Sequence, residues 1–181
     1  MRRLEVASPK EKPPLLESLF RLVNKRFGFV PNIYRAISVS PHALTALTEM
    51  QGALSRTLDV RTRERIALAV SQINDCHYCL SAHTYLGSQF ANLNAAEMEL
   101  NRKGRSYNPK AEAAIRFAVR VTEVRGKVED QDLKAVRAAG YTDAQIVEIV
   151  ALCAQFFLTN YVANVFEIDA DFPDMSAIED M

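Results

Sequence analysis

Apolar residues recur along this chain at helical rather than strand spacing. Leu15, Leu16, Leu19, Phe20, Leu22 and Val23 follow a helical period after Pro13-Pro14, and Gly28 supplies a C-cap. Ser40-Pro41 reads as an N-cap and first helical residue, opening a helix through Ala43, Leu44, Leu47 and Met50. Asp59 caps a helix carrying Ile66, Ala69, Val70 and Ile73, and another runs from Tyr78 to Phe90. Asn94-Ala-Ala-Glu97 has the form of a capping box, with Asn in place of Ser or Thr. Asn108-Pro109 repeats the cap-then-proline start before Ala111 to Val124. Thr142-Asp-Ala-Gln145 is a second capping-box-like start and opens the long C-terminal helix. No alternating apolar runs flank an Asn-Gly or Asp-Gly turn, so strands are not expected. The pattern predicts an all-α bundle of about eight or nine helices with short connections.

Composition adds bounds to that picture. The 181 residues, 49% hydrophobic and 24% charged, suit one soluble globular domain over 1–181 that buries a core without disulfides or metal. No linker or low-complexity segment divides it. Lys plus Arg equals Asp plus Glu, at 22 each, which gives no pull toward nucleic acid or an anionic membrane and eases self-association. Met1 to Lys10 has no apolar stretch of the secretory kind. Glu148, Gln155, Asn160 and Asn164 interrupt the apolar run from Ile146 to Phe166, so a core helix is expected there rather than a membrane span. A cytoplasmic location follows, where thiols stay reduced and a close Cys pair does redox work or binds metal. The acidic tail from Asp169 to Met181 reads as frayed or docked on a neighbour. Thr62, Ile66 and Val70 share the spacing of Thr142, Ile146 and Val150, a weak internal echo.

The candidate chemistry lies in Asn74-Asp-Cys-His-Tyr-Cys-Leu-Ser-Ala-His83. Asn74 and Asp75 both suit an N-cap, which puts Cys76 in the first turn. Cys76, Cys79 and His83 then stand at i, i+3 and i+7 on one helix face. Two sulfurs so spaced can close a disulfide with little backbone movement. The helix start favours thiolate, and His83 can take or relay a proton. A thiolate oxidised by peroxide to a sulfenic acid condenses with a second thiol, and this segment supplies both sulfurs. Two plain core cysteines are the bland alternative. Zinc is another, but a structural site takes four ligands, and only His42, His77 and Cys153 remain elsewhere. A thioredoxin-like domain would need a βαβ framework. No cofactor motif is present, neither a Gly-rich phosphate loop nor a dinucleotide fingerprint.

Glu64 on the preceding helix serves equally well as a proton-passing carboxylate near His83 or as a salt-bridge partner of Arg61 or another basic residue nearby. His77 and Tyr78 are candidate neighbours of the pair. Cys153 in Val150-Ala-Leu-Cys-Ala reads as core, and His42 as an exposed surface residue. Phe27, Phe29, Tyr34, Phe156, Phe157 and Tyr161 read as core or subunit interface.

The segment from Arg63 to His83 resembles the core motif of the alkylhydroperoxidase D family, within the carboxymuconolactone decarboxylase-like superfamily. The pattern is Glu, eleven residues, Cys, two residues, Cys, three residues, His, and Glu64, Cys76, Cys79 and His83 match it. Phe29-Val-Pro-Asn-Ile-Tyr34 and Asp171-Phe-Pro173 look like the peroxidase-related subgroup, and the likeness is sharpest over 63–87. The resemblance implies an all-α antioxidant enzyme that reduces hydroperoxides through a dithiol/disulfide cycle without metal or cofactor. It implies Cys79 as the peroxidatic thiol, Cys76 as the resolving one, and Glu64 with His83 as proton relay. Helix-end electrostatics alone would favour Cys76 as the attacker. The resemblance further implies a lipoyl-bearing or thioredoxin-like dithiol reductant and a homo-oligomer, trimer or hexamer. One departure stands out: the best-known members carry His immediately before the second Cys, where this chain has Tyr78. The alternative reading is a redox sensor or interaction module that uses the same dithiol switch without turnover.

Overall fold

A computed structural model describes residues 3–4 and 14–173. Among these it forms nine helices and no strand. They are α1 (Pro14–Phe27), α2 (Asn32–Ile37), α3 (Pro41–Leu54), α4 (Val60–Ile73), α5 (His77–Ala91), α6 (Ala95–Arg102), α7 (Pro109–Glu123), α8 (Asp130–Ala138) and α9 (Asp143–Phe166). The all-α expectation holds. α2 and α8 are the two that apolar spacing did not single out, being only six and nine residues long. Pro13, half of the Pro13-Pro14 signal, lies outside the described residues.

The caps form where the polar signals stand. The Ser40, Asp59 and Asn108 side chains accept from the backbone N–H of Ala43, Thr62 and Ala111 at 3.2, 3.0 and 2.9 Å. Such a cap stabilises a helix start by roughly 1 kcal/mol. Thr142 and Gln145 close a reciprocal capping box at 3.2 and 3.1 Å. The box expected at Asn94 is only half made. Asn94 accepts from Glu97 N–H at 2.8 Å, but the Glu97 carboxylate turns inward. There it accepts from Arg65 Nε at 2.8 Å and from Tyr107 N–H and Asn101 Nδ2, each at 3.0 Å. Burial pushes the Glu97 carboxyl up, but its hydrogen bonds from Ser106, Asn101 and Tyr107 and the Arg65 charge hold it at about 2. A carboxylate that meets a partly buried guanidinium gains more than one returning a single N–H at a helix end.

α4 is the central helix and packs against α5, α6, α7 and α9. Ile66, Ala67, Leu68, Ala69 and Val70 are all sealed from solvent, so the helix is surrounded on every side. The alanines let its neighbours approach closely. α9 lies against α2, α3, α4, α5 and α7, with Ile146, Ile149, Leu152 and Phe156 among its buried residues. It is the one helix among the described residues long and apolar enough to cross a membrane, and its inner side is part of the core. The Thr62/Thr142 echo is one of spacing only. Thr62 is buried inside the first turn of α4, whereas Thr142 is the exposed N-cap of α9; Val70 is buried and Val150 is not.

Past α9, Glu167 takes a left-handed φ of 48° and the Ile168 N–H returns to Ala163 O at 3.0 Å, ending the helix. The segment 169–173 then docks on α2 and α5 of its own chain; the tail beyond it lies outside the described residues.

Candidate functional site

The site is assembled by the turn between α4 and α5. Asn74 and Asp75, expected as N-cap residues, instead finish α4. Asp75 adopts φ 49°, a left-handed conformation that Asp tolerates better than most residues. Its N–H returns to Gln72 O at 3.2 Å, and the Cys76 N–H returns to Ser71 O at 3.0 Å. This pair of bonds is a Schellman closure of α4. Cys76 therefore sits one residue earlier than expected and is itself the N-cap of α5, its Sγ accepting from Cys79 N–H at 3.3 Å. One residue ends the first helix and starts the second, so its sulfur is fixed from both sides.

Cys76 and Cys79 are both free thiols and both buried, at 0% and 3% exposure. The Cys79 thiol donates to the Cys76 sulfur. That bond, joined by the Cys79 N–H, lowers the Cys76 pKa below the usual thiol value against the effects of burial and of Asp75. The same bond to Cys76, together with burial, pushes the Cys79 thiol up, while Asn160 works the other way. The first negative charge of the pair thus settles on Cys76. Access runs the opposite way, since Cys79 lines a cavity that Cys76 does not reach.

That cavity has a volume of about 100 Å³ and lies between α1, α2, α3, α4, α5, α9 and the 169–173 segment. Cys79, His83, Glu64, Phe27, Phe156 and Phe172 are among the side chains that line it. His83 Nδ1 meets Glu64 Oε2 at 2.7 Å, with both side chains largely buried. A carboxylate accepts, so Nδ1 carries a proton and Nε2 is the nitrogen left to exchange one. Phe156 holds the ring edge-on at 5.2 Å between centroids. Of the partners considered for Glu64, it is His83 that it meets, and Arg61 Nε donates to Ala91 O at 3.0 Å.

Tyr78 does not take the place of the family's histidine as a proton carrier. Burial raises its phenol far above the usual range, so it stays a donor. Its O–H donates to Asp171 Oδ1 at 2.9 Å and accepts from Ile33 N–H at 3.3 Å. Asp171 Oδ2 accepts from Asn32 N–H at 2.7 Å, and Asn32 Nδ2 donates to Asp169 O at 3.1 Å. Phe172 packs against Phe29, Tyr78 and Tyr85 at 5.5, 6.0 and 5.8 Å and forms one wall of the cavity. The two subgroup stretches, 29–34 and 171–173, thus meet each other across Tyr78.

Other candidates fall away from the site. His77, a candidate neighbour of the pair, is 90% exposed at its side chain, because the first turn of α5 points it opposite to Cys76. Cys153 donates weakly to Ala118 O at 3.9 Å, and burial pushes its thiol up to about 12. His42 is exposed. Phe27, Tyr34 and Phe156, expected only as core or interface, also line the cavity. Asn160, Asp171 and Phe172 gave no site signal beyond the polar break in an apolar helix and the subgroup stretch. Among the described residues no three His, Cys, Asp or Glu side chains converge as metal ligands.

Fold and site together define a helical protein built around a buried dithiol with a Glu–His pair beside it. The sequence profile of the carboxymuconolactone decarboxylase family matches residues 41–120, from α3 into α7. No curated protein sequence matches the chain. An uncharacterised peroxidase-related protein with an alkylhydroperoxidase AhpD core, from Ralstonia eutropha JMP134, superposes with a TM-score of 0.83 at 27% identity, covering 93% of this chain and 92% of that one. Another from Silicibacter sp. TM1040 gives 0.82 at 26% identity over 93% and 91%. The debrominase Bmp8, as a cysteine-to-alanine variant holding 2,3,4-tribromopyrrole, shares the fold at 0.78 with 17% identity over 96% and 94%. Residues 41–120 thus carry the carboxymuconolactone decarboxylase-family pattern, and the fold is that of AhpD-like, peroxidase-related proteins.

Proposed function

We propose that this chain is a thiol-dependent hydroperoxide reductase that cycles Cys76 and Cys79 between dithiol and disulfide. The observation that carries this reading is the meeting of Cys79, His83 and Glu64 on one small cavity, with Cys76 hydrogen-bonded to Cys79. His83 takes the first proton released by the pair, leaving the charge on Cys76. The Cys79 proton then passes along the sulfur–sulfur hydrogen bond to Cys76, and Cys79 becomes the thiolate at the cavity. It attacks one peroxide oxygen; the S–O bond forms as the O–O bond breaks, and the departing alkoxide takes the proton from His83. Cys76 then attacks the Cys79 sulfenic acid. Its thiol proton leaves with the hydroxide as water, and the disulfide closes. Two thiols and one hydroperoxide yield a disulfide, an alcohol and water.

Access favours Cys79 as the attacking sulfur and acidity favours Cys76; a buried thiolate that no peroxide can reach does no chemistry, so access decides. The cavity's volume suits hydrogen peroxide or a short alkyl hydroperoxide. Reset requires two electrons from a dithiol, a lipoyl-bearing or thioredoxin-like protein in a reducing compartment such as the cytosol. The test is steady-state consumption of hydroperoxide with a small dithiol as reductant. Cys76→Ser and Cys79→Ser should each lose it by at least about a hundredfold; full turnover in both variants would overturn the reading.

One observation supports a second reading. Both sulfurs are buried, and Phe172 of the 169–173 segment walls the cavity at Cys79, which suits a switch that oxidises once and signals. A sensor gives a single burst of one peroxide per chain, and an enzyme goes on turning over.

A further inference from the structure

Glu148, Gln155, Asn160 and Asn164 interrupt the apolar run of α9, and they do not all serve the fold. Asn160 Oδ1 accepts from Asn74 Nδ2 at 2.9 Å, and Asn164 Nδ2 donates to Asn74 O at 2.8 Å, so both hold the α4–α5 turn. Glu148 is partly exposed. Gln155 is buried, at 7% exposure, and among the described residues its amide meets no hydrogen-bond partner. An apolar residue could fill that place without desolvating an amide, and buried polar groups in native cores are nearly all bonded. The amide is not sealed in, either. Among the described residues, the sealed side-chain nitrogen or oxygen that goes without a partner is Asn101 Oδ1. The Gln155 side chain instead lines the cavity that holds Cys79 and His83.

Leu152, Gln155, Phe156 and Thr159 share one face of α9, and all four line the cavity. Phe156 sets that face against the His83 ring, edge-on at 5.2 Å. The neighbouring polar groups of the wall already have partners. Gln51 Oε1 accepts from Tyr34 O–H at 2.8 Å, Ser55 O–H donates to Gly52 O at 2.9 Å, Thr159 O–H donates to Phe156 O at 3.1 Å, and Arg63 Nη1 donates to Leu58 O. Gln155 keeps one acceptor oxygen and two N–H donors for a guest. A hydroperoxide presents the matching set, one O–H and lone pairs on both oxygens. We propose that Gln155 binds the peroxide group itself, its Oε1 accepting from the O–H of the oxygen under attack and its Nε2 donating to the oxygen that departs. This rests on the hydroperoxide-reductase reading and names the group that holds the substrate. The attacked oxygen keeps its hydrogen and becomes the Cys79 sulfenic acid. The O–O electron pair goes to the departing oxygen, which takes its proton from His83. The Nε2–H transfers nothing, and it gains strength as charge collects on that oxygen. A dialkyl peroxide, which has no O–H, would leave Oε1 unpaired, so the site selects hydroperoxides.

The experiment compares two reactions of the reduced full chain with both site cysteines in place, each followed by peptide mass spectrometry. One is single-turnover disulfide formation with hydrogen peroxide. The other is methylation of Cys79 by iodomethane, which neither donates nor accepts a hydrogen bond. Gln155→Met, unbranched and of similar size, should slow oxidation by at least about tenfold and change methylation by less than about twofold. Gln155→Asn keeps the amide but draws it back by one methylene, and should slow oxidation by less, again without touching methylation. Circular dichroism checks the fold of each variant. Unchanged oxidation in folded Gln155→Met overturns the proposal, and so does equal slowing of both reactions, which would make Gln155 a shaper of the cavity only. If that variant does not fold, the same two results in Gln155→Asn overturn it. A wild-type chain that peroxide does not oxidise removes the reductase reading and this inference with it. A wild type that is oxidised, beside a Gln155→Met that keeps pace with it, removes this inference alone.

Discussion

His83 and Glu64 stand 19 residues apart and meet at 2.7 Å, each on a helix that fixes its direction. Glu64 holds the ring and keeps the proton on Nδ1, so the proton exchanged with the cavity passes through Nε2. In hydroperoxide turnover, His83→Ala should lower kcat by roughly a hundredfold or more, in the range of general acid–base catalysis. Glu64→Gln keeps the volume and one hydrogen bond, and should lower it by about tenfold. Unchanged kcat in both variants would leave the pair a plain buried contact. At this scale the sequence was informative where residues share a helix. Cys76, Cys79 and His83 were readable from spacing, and the family motif brought Glu64 to them. Asn160 and Asp171 were not readable, because they reach Asn74 and Tyr78 across 86 and 93 residues and nothing local marks such a meeting.

Two elements position these groups, the 74–76 turn and the 169–173 segment. The turn was misread by one residue. Asn and Asp are good N-caps, but Asp75 was needed for a left-handed φ, and the cap fell to a cysteine sulfur. The segment was expected to fray or dock on a neighbour, yet its described part docks on its own chain through Tyr78. Tyr78, the departure from the family pattern, is therefore a clamp on the cavity wall. Tyr78→Phe removes the bonds to Asp171 and Ile33, Asp171→Ala those from Tyr78 and Asn32, and both leave the Phe172 side chain unaltered. Each should speed the reaction of Cys79 with a bulky maleimide about tenfold, the order of factor that lost hydrogen bonds of this kind correspond to, while iodoacetamide changes by less than about twofold. Equal effects on both reagents would mean that the segment does not govern access.

At the scale of the whole molecule, the described residues leave an apolar helix face outside the core. Val147, Leu158, Tyr161 and Val165 are exposed on the outer side of α9, with Ala151 and Ala154 completing steps of four and three residues. That is the spacing of a helix seam. The sequence marked α9 as a core helix, which is right for its inner side; an apolar run on both sides of a helix does not say which side has a partner inside the same chain. With no net charge to oppose association, we propose that copies of this chain pack along that seam. Light scattering should give a mass that is a multiple of 20.3 kDa, falling to the single-chain value in Leu158→Glu with Val165→Glu. A wild-type mass of one chain would remove the seam from the assembly.

The central claim is that Cys76 and Cys79 exchange two electrons with a hydroperoxide, and intact-protein and peptide mass spectrometry after one equivalent of hydrogen peroxide tests it most directly. Dithiol cycling predicts that one peroxide is consumed per chain and that the peptide carrying Cys76 and Cys79 loses two hydrogens. Cys153 should stay a free thiol, and a small dithiol should restore the starting mass. A peptide that stays reduced while peroxide persists, or oxidation that falls on Cys153 instead, would contradict it.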